Sequence, residues 1–107
     1  MFIKQGEVDR KALGKGVYRR ILGYDSEIMM VQVDFEKGSV GEMHHHPHRQ
    51  NSYVVEGVFE VTIEKETTIL KAGDGFFVEP EQPHGVVCME KGSLIDVFNP
   101  AREDFLD

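Results

Sequence analysis

What most constrains this chain is the stretch from Ile28 to Phe98, where apolar and polar residues alternate over short runs punctuated by glycine and proline. In "EIMMVQVDF", Met29, Val31, Val33 and Phe35 fall on one side of an extended backbone, with Gln32 and Asp34 on the other. Successive side chains of a strand point to opposite faces, so a period of two marks a half-buried strand. "SYVV" and "VFEVTIE" flank Glu56-Gly57, and the second sets Phe59, Val61 and Ile63 against Glu60, Thr62 and Glu64. The pair reads as a hairpin turning at the glycine. "GFFVEP", "HGVVCME" and "SLIDVF" complete the series, the last two separated by the turn signal "EKGS". No window carries a helical period. Arrays of short strands avoid exposed edges by closing into a barrel or sandwich. The expected fold is therefore all-β, one domain over residues 1–107, with mass for a single core.

Charge narrows the partners. Twelve Lys and Arg against nineteen Asp and Glu leave a formal charge of −7. Nucleic-acid binding draws on clustered cations that neutralise phosphates, and no such cluster is present, so no nucleic-acid partner is expected. The opening "MFIKQGEVDRK" lacks an apolar leader region, and no window approaches the roughly 18 apolar residues of a membrane span. The expected setting is the cytoplasm, without a membrane partner. Cys88 has no second cysteine to pair with and reads as a small buried hydrophobe. Tyr53 and Phe76 read as core.

Four of the five histidines fall within five positions of "GEMHHHPHRQNSYV". On an extended backbone His44 and His46 point the same way and His45 the other; His48 joins them only if the chain stays extended through Pro47. An i, i+2 imidazole pair is half of a metal site, because both rings reach one ion at about 2.0–2.2 Å. Gln50 can add an amide oxygen, and His84 in "EPEQPHG" is the remaining histidine. The competing reading is a solvated loop that binds metal adventitiously.

At this spacing the sequence resembles the cupin superfamily, whose first motif is G-x5-H-x-H-x3-4-E-x6-G. Gly38, His44, His46, Gln50 and Gly57 fall on its positions, with glutamine in place of the usual glutamate. The second motif, G-x5-P-x-G-x2-H-x3-N, is matched in part: Gly73 and His84 align, while Glu79, Glu81 and Cys88 stand at the proline, glycine and asparagine positions. The resemblance implies an RmlC-like jelly-roll β-barrel holding one divalent metal on His44, His46, Gln50 and His84. It speaks to fold and metal, not to the reaction.

A narrower resemblance runs from Gly14 to Leu106. "MHHHPHRQNSYVVEG", "PHGVVCMEKGSLIDVFNP" and "REDFL" are similar to the small pectin-degradation cupins of KdgF type. It implies an enzyme that converts 4,5-unsaturated monouronates, released from pectin or alginate, into linear 5-keto-4-deoxyuronate by ring opening and tautomerisation. It further implies that Asp96, Phe98 and Arg102 line the substrate pocket, where Asp96 and Arg102 are the expected catalytic residues and Phe98 and Arg102 the expected substrate contacts. One departure is Arg49, where an acidic residue is expected before the glutamine.

The residues can also be weighed on their own. In "SLIDVF", Leu94, Asp96 and Phe98 share a face. Asp96 is either an outward aspartate on a half-exposed strand or, if that face is interior, a general acid or base. Arg102 is either solvated in a terminal tail or, if Phe105 and Leu106 dock that tail, a fork for a carboxylate. Three imidazoles and an amide leave a divalent ion its full charge, which favours Lewis-acid isomerase or lyase chemistry over oxygen chemistry. Zn, Ni, Mn and Fe all fit such donors. The resemblance adds the expectation of a small-molecule sugar-acid substrate and, as in other cupins of this size, a homodimer formed through edge strands. Two rivals use the same residues: a metal-dependent dioxygenase, and a non-catalytic uronate-binding module.

Overall fold

Alternation governs the structure as the pattern predicts, and it extends further than the pattern showed. The computed structural model describes residues 1–106. Its strands are β1 (Lys11–Gly14), β2 (Val17–Tyr24), β3 (Met29–Phe35), β4 (Val40–His44), β5 (Arg49–Ile63), β6 (Glu66–Lys71), β7 (Gly75–Val78) and β8 (His84–Asn99). Two single 3₁₀ turns, Gln5–Glu7 and Glu103–Phe105, are the remaining regular elements. All pairings are antiparallel, in the order β1-β2-β3-β8-β5-β6, with β4 on β8 and β7 on β5. The hydrogen-bonded path does not return on itself, so the all-β jelly roll is a curled sheet rather than a closed ring of strands.

The sequence reading placed a hairpin turn at Glu56-Gly57 and a second turn at "EKGS". The structure has neither. β5 runs unbroken through Gly57 and β8 through Gly92, and the two pair along their lengths from Arg49↔Asn99 to Ile63↔His84, with register shifts between Val54 and Phe59. Here the glycines make a crossing, not a turn. A Cβ on Gly57 would lie 2.7 Å from Gly92 Cα and 2.6 Å from Glu90 O, and a Cβ on Gly92 would meet Glu56 O. Two backbones touch at this point, and only glycine leaves room.

The crossing folds the ribbon in half. His84 to Phe98 of an extended strand would span about 46 Å at roughly 3.3 Å per residue, more than the 36 Å longest dimension of the molecule. Bending at Gly57 and Gly92 brings both ends of β8 to one interior. That interior holds two apolar clusters. Phe35, Val54, Phe59, Val61, Val86, Cys88 and Leu94 form one, and Met29, Val31, Phe98 and Ala101 the other. Phe35 and Phe59 meet edge to face at 5.3 Å, a contact worth about 0.5–1.5 kcal/mol beyond its burial.

Strand parity corrects one further expectation. Gln50, Ser52 and Val54 point inward from β5, so Tyr53 points out and is 52% exposed rather than core. Phe76 is half-buried against the first cluster, as expected. Cys88 is fully buried, and burial pushes its thiol up from the usual range. Strands β1 and β2 precede the segment read as strands. β2 was missed because Arg19 and Arg20 interrupt its apolar alternation.

Candidate functional site

Register places the first two imidazoles opposite one another. β4 ends at His44 and β8 begins at His84, and these residues are cross-strand partners. The chain leaves β4 through "HHPH" and returns to the interior at His46 before β5 begins. Ring centroids of His44, His46 and His84 lie 4.4–5.4 Å apart, and one ring nitrogen of each falls within 4.8 Å of the others. His46 and His84 are buried; His44 sits at the rim. His45 points outward onto Glu81 at 3.0 Å, and His48 lies outside the triad. Glu81, at the position where the cupin motif carries glycine, has φ +63°.

Each triad imidazole is held by its Nδ1. His44 Nδ1 donates to Glu42 O (2.8 Å), His46 Nδ1 to His48 O (3.1 Å) and His84 Nδ1 to Gln82 O (2.9 Å). A neutral ring with its proton on Nδ1 presents a lone pair at Nε2, the form that ligates metal. Burial keeps the deep rings neutral. It lowers His84 to about 4, helped by the nearby His44, His46 and Arg102 and opposed by the Gln82 carbonyl, and it lowers His46 as well.

Two observations test the fit to a cation. His84 Nε2 is buried with no partner, and an orphaned buried acceptor is costly unless something fills it. His46 Nε2 faces Gln50 Oε1 at 2.9 Å. The amide orientation follows from its neighbours: Ser52 Oγ gives its single proton to Asp96 Oδ1 (2.6 Å) and accepts from Gln50 Nε2 (3.0 Å). Gln50 Oε1 is thereby turned toward His46, and two acceptors confront one another. A divalent ion reconciles them, since two ligands about 2.1 Å from one ion at right angles lie about 3.0 Å apart. The donor set of three imidazoles and one amide oxygen fits such an ion.

Beside this cluster lies a cavity of about 170 Å³ whose wall includes His44, Gln50, His84, Asp96, Phe98 and Arg102. It is smaller than the roughly 300–1,000 Å³ of drug-sized pockets and suits one small ring rather than a polymer. Asp96 is on the inward face of β8, between buried Leu94 and Phe98. Burial pushes its carboxyl up to about 6, with the Ser52 hydroxyl and the Arg102 guanidinium pulling the other way. Arg102 is 9% exposed. Its Nε and Nη2 donate to both oxygens of Asp104 at 3.0 and 2.8 Å, which leaves the end of the guanidinium open. The tail docks through Phe105, whose ring meets Phe98 at 5.7 Å, while Leu106 stays exposed. Arg49 lies on the outer face, opposite Asn99.

The structure therefore brings together His44, His46, Gln50, His84, Asp96, Phe98 and Arg102. Sequence reasoning missed Ser52 and Arg19, and read Phe105 only as an anchor of the tail. Ser52 had a signal, as the polar residue sharing the inward parity of Gln50 and Val54. Arg19 had one too: Val17, Arg19 and Ile21 pair with Phe35, Val33 and Val31, so a cation stands in an inward row.

Comparison with known proteins agrees with this architecture. A family model described as the cupin domain matches residues 31–98. The pectin degradation protein KdgF of Dickeya dadantii (strain 3937) is 47% identical over 102 residues, 94% of this chain and 93% of that protein. An RmlC-like cupin from Shewanella frigidimarina NCIMB 400 superposes with a TM-score of 0.95 at 46% identity, covering 97% of this chain and 94% of that one. KdgF from a Halomonas species gives 0.94 at 39% identity, covering 98% and 97%. With the matched motif, the jelly roll and these full-length likenesses in agreement, the chain belongs to the cupin family, among its small members.

Proposed function

We propose that this protein acts in pectin or alginate breakdown, opening the ring of 4,5-unsaturated monouronates and tautomerising the product to linear 5-keto-4-deoxyuronate. The observation that carries this reading is a single small cavity in which a carboxyl with pKa about 6, a buried guanidinium and a metal-competent imidazole triad converge. Likeness to the two KdgF proteins supports the substrate class.

His44, His46, Gln50 and His84 would hold a divalent ion, which when bound supplies a Lewis acid for the substrate's oxygens. The open end of Arg102 holds the uronate carboxylate, and Phe98 packs against the ring. Asp96 is largely ionised at neutral pH but binds a proton more readily than an ordinary carboxylate, so it can accept a proton and return one. As carboxylate it takes the proton from the C1 hydroxyl; the C1–O5 bond breaks, leaving an aldehyde at C1 and an enolate over O5, C5 and C4. As acid it delivers that same proton to C4, and the enolate becomes the C5 ketone. No atom is gained or lost, so no oxidant is required. Fixing these groups around one ring is itself a large part of the acceleration.

The test is the loss of absorbance of the conjugated 4,5-unsaturated galacturonate. It is expected to be fast with protein, abolished by chelator and restored by Zn, Ni, Mn or Fe(II). An unchanged spectrum with metal-loaded protein would overturn the reading, and oxygen uptake matching turnover would replace it with oxygenase chemistry.

A further inference from the structure

We propose that Arg19 is a second carboxylate-binding residue of the cavity and sets its preference for an anionic sugar, an inference that rests on the uronate reading above. Arg19 stands on β2 between Val17 and Ile21, opposite Val33, and lines the same cavity as Asp96 and Arg102. Its Cζ lies 3.9 Å from the centroid of Phe105, the ring on which Arg102 also packs, at 4.2 Å.

The two guanidinia differ in how their donors are used. Arg102 has one edge closed by Asp104. Arg19 forms no ion pair with any of the described residues. Stacking on Phe105 engages the face of its guanidinium through the ring's quadrupole and leaves the in-plane N–H groups free. The fork is therefore oriented without being occupied. Partial burial, and then the like charge of Arg102 gathered at the same ring, lower the affinity of Arg19 for its own proton, with only Asp104 acting in the other direction. An anion entering between them relieves both penalties, and a planar carboxylate matches the fork in two-point geometry.

The experiment compares binding of D-galacturonate and its uncharged methyl ester by isothermal titration, in the parent and in Arg19→Met. The substitution keeps an apolar stem against Phe105 and removes the guanidinium. Galacturonate affinity should fall about 10–100-fold, the loss expected for a charge-assisted hydrogen-bonded pair, with binding of the ester unchanged. Arg19→Lys should recover part of the loss. For unsaturated uronate the change should appear mainly in KM. If Arg19→Met keeps the parent's preference for the acid while Arg102→Met abolishes it, the proposal fails and the uronate reading stands. If the parent itself does not prefer the acid to the ester, both fail. Should Arg19→Met unfold, Arg19→Gln provides the same comparison.

Discussion

Replacing Asp96 with Asn should make the protein more stable at alkaline pH while nearly abolishing turnover. Burial raises the carboxyl to about 6 from an ordinary value of 3.8, and the Ser52 and Arg102 interactions offset only part of that rise. A shift of about two units corresponds to roughly 3 kcal/mol between the two protonation states. The folded pKa exceeds the unfolded one, so the folded protein holds this proton more tightly. The resulting stabilisation is fully present below about pH 4 and is lost as pH rises through about 6. Above pH 7 the native state carries an ionised carboxylate in a poorly solvated place. Asparagine keeps the shape and an oxygen for the Ser52 hydroxyl but does not ionise. The variant's advantage should be near zero at pH 4 and about 2–3 kcal/mol at pH 8, or about 10 °C or more in Tm for a domain of this size. Urea titrations across that pH range, in chelator so that no bound cation lowers the carboxyl, read the difference directly. In metal-loaded protein kcat should fall about 10²–10⁴-fold with little change in KM. A pH-independent stability difference would refute the burial argument, and an unchanged kcat would remove Asp96 from the chemistry.

Other substitutions probe the groups around it. Gln50→Glu should retain metal but lower kcat/KM by roughly 10–100-fold, because the new carboxylate weakens the ion as an electrophile and contests the single proton of Ser52; metal analysis and kinetics together check this. Ser52→Ala leaves Gln50 Nε2 without its acceptor, at a cost of about 1–3 kcal/mol in unfolding free energy. The freed amide should also weaken metal binding about 10–100-fold in chelator competition. Gly92→Ala drives a methyl group into the backbone of β5 and should cost more than about 3 kcal/mol or prevent folding. Gly73→Ala, whose added Cβ meets nothing within 4 Å at φ +96°, should cost only about 1–2 kcal/mol. Equal denaturation midpoints for the two glycine variants would show that β5 and β8 do not touch at the crossing.

The expectations that held and those that did not have physical reasons. Inward and outward sets on β3 and along most of β5 and β8 were legible because burial acts on every second residue, and that period is written directly in the chain. Where the ribbon folds was not legible. Gly57 and Gly92 are ordinary turn signals in sequence, and their actual role, two backbones in contact, depends on a partner strand about 35 residues away in the chain. β2 escaped because Arg19 and Arg20 look like an exposed pair, when strand parity puts one inside and the other on the outer face beside Asp34.

The same parity explains why charge misleads at the site. A chain of formal charge −7 reads as one that repels anions, yet its cavity gathers Arg19, Arg102 and a cluster of imidazoles suited to a cation, against one lining carboxylate, that of Asp96. Net charge acts at long range and is screened beyond about 8 Å at physiological ionic strength. What an entering anion meets is the local field inside a low-dielectric wall of Val33, Phe35 and Leu94, where a few fixed cations outweigh many solvated anions. The acidic surface and the cationic interior are thus compatible. Only the second is matched to a carboxylate, and it is built from residues whose side of the strand, not their number, decides what they do.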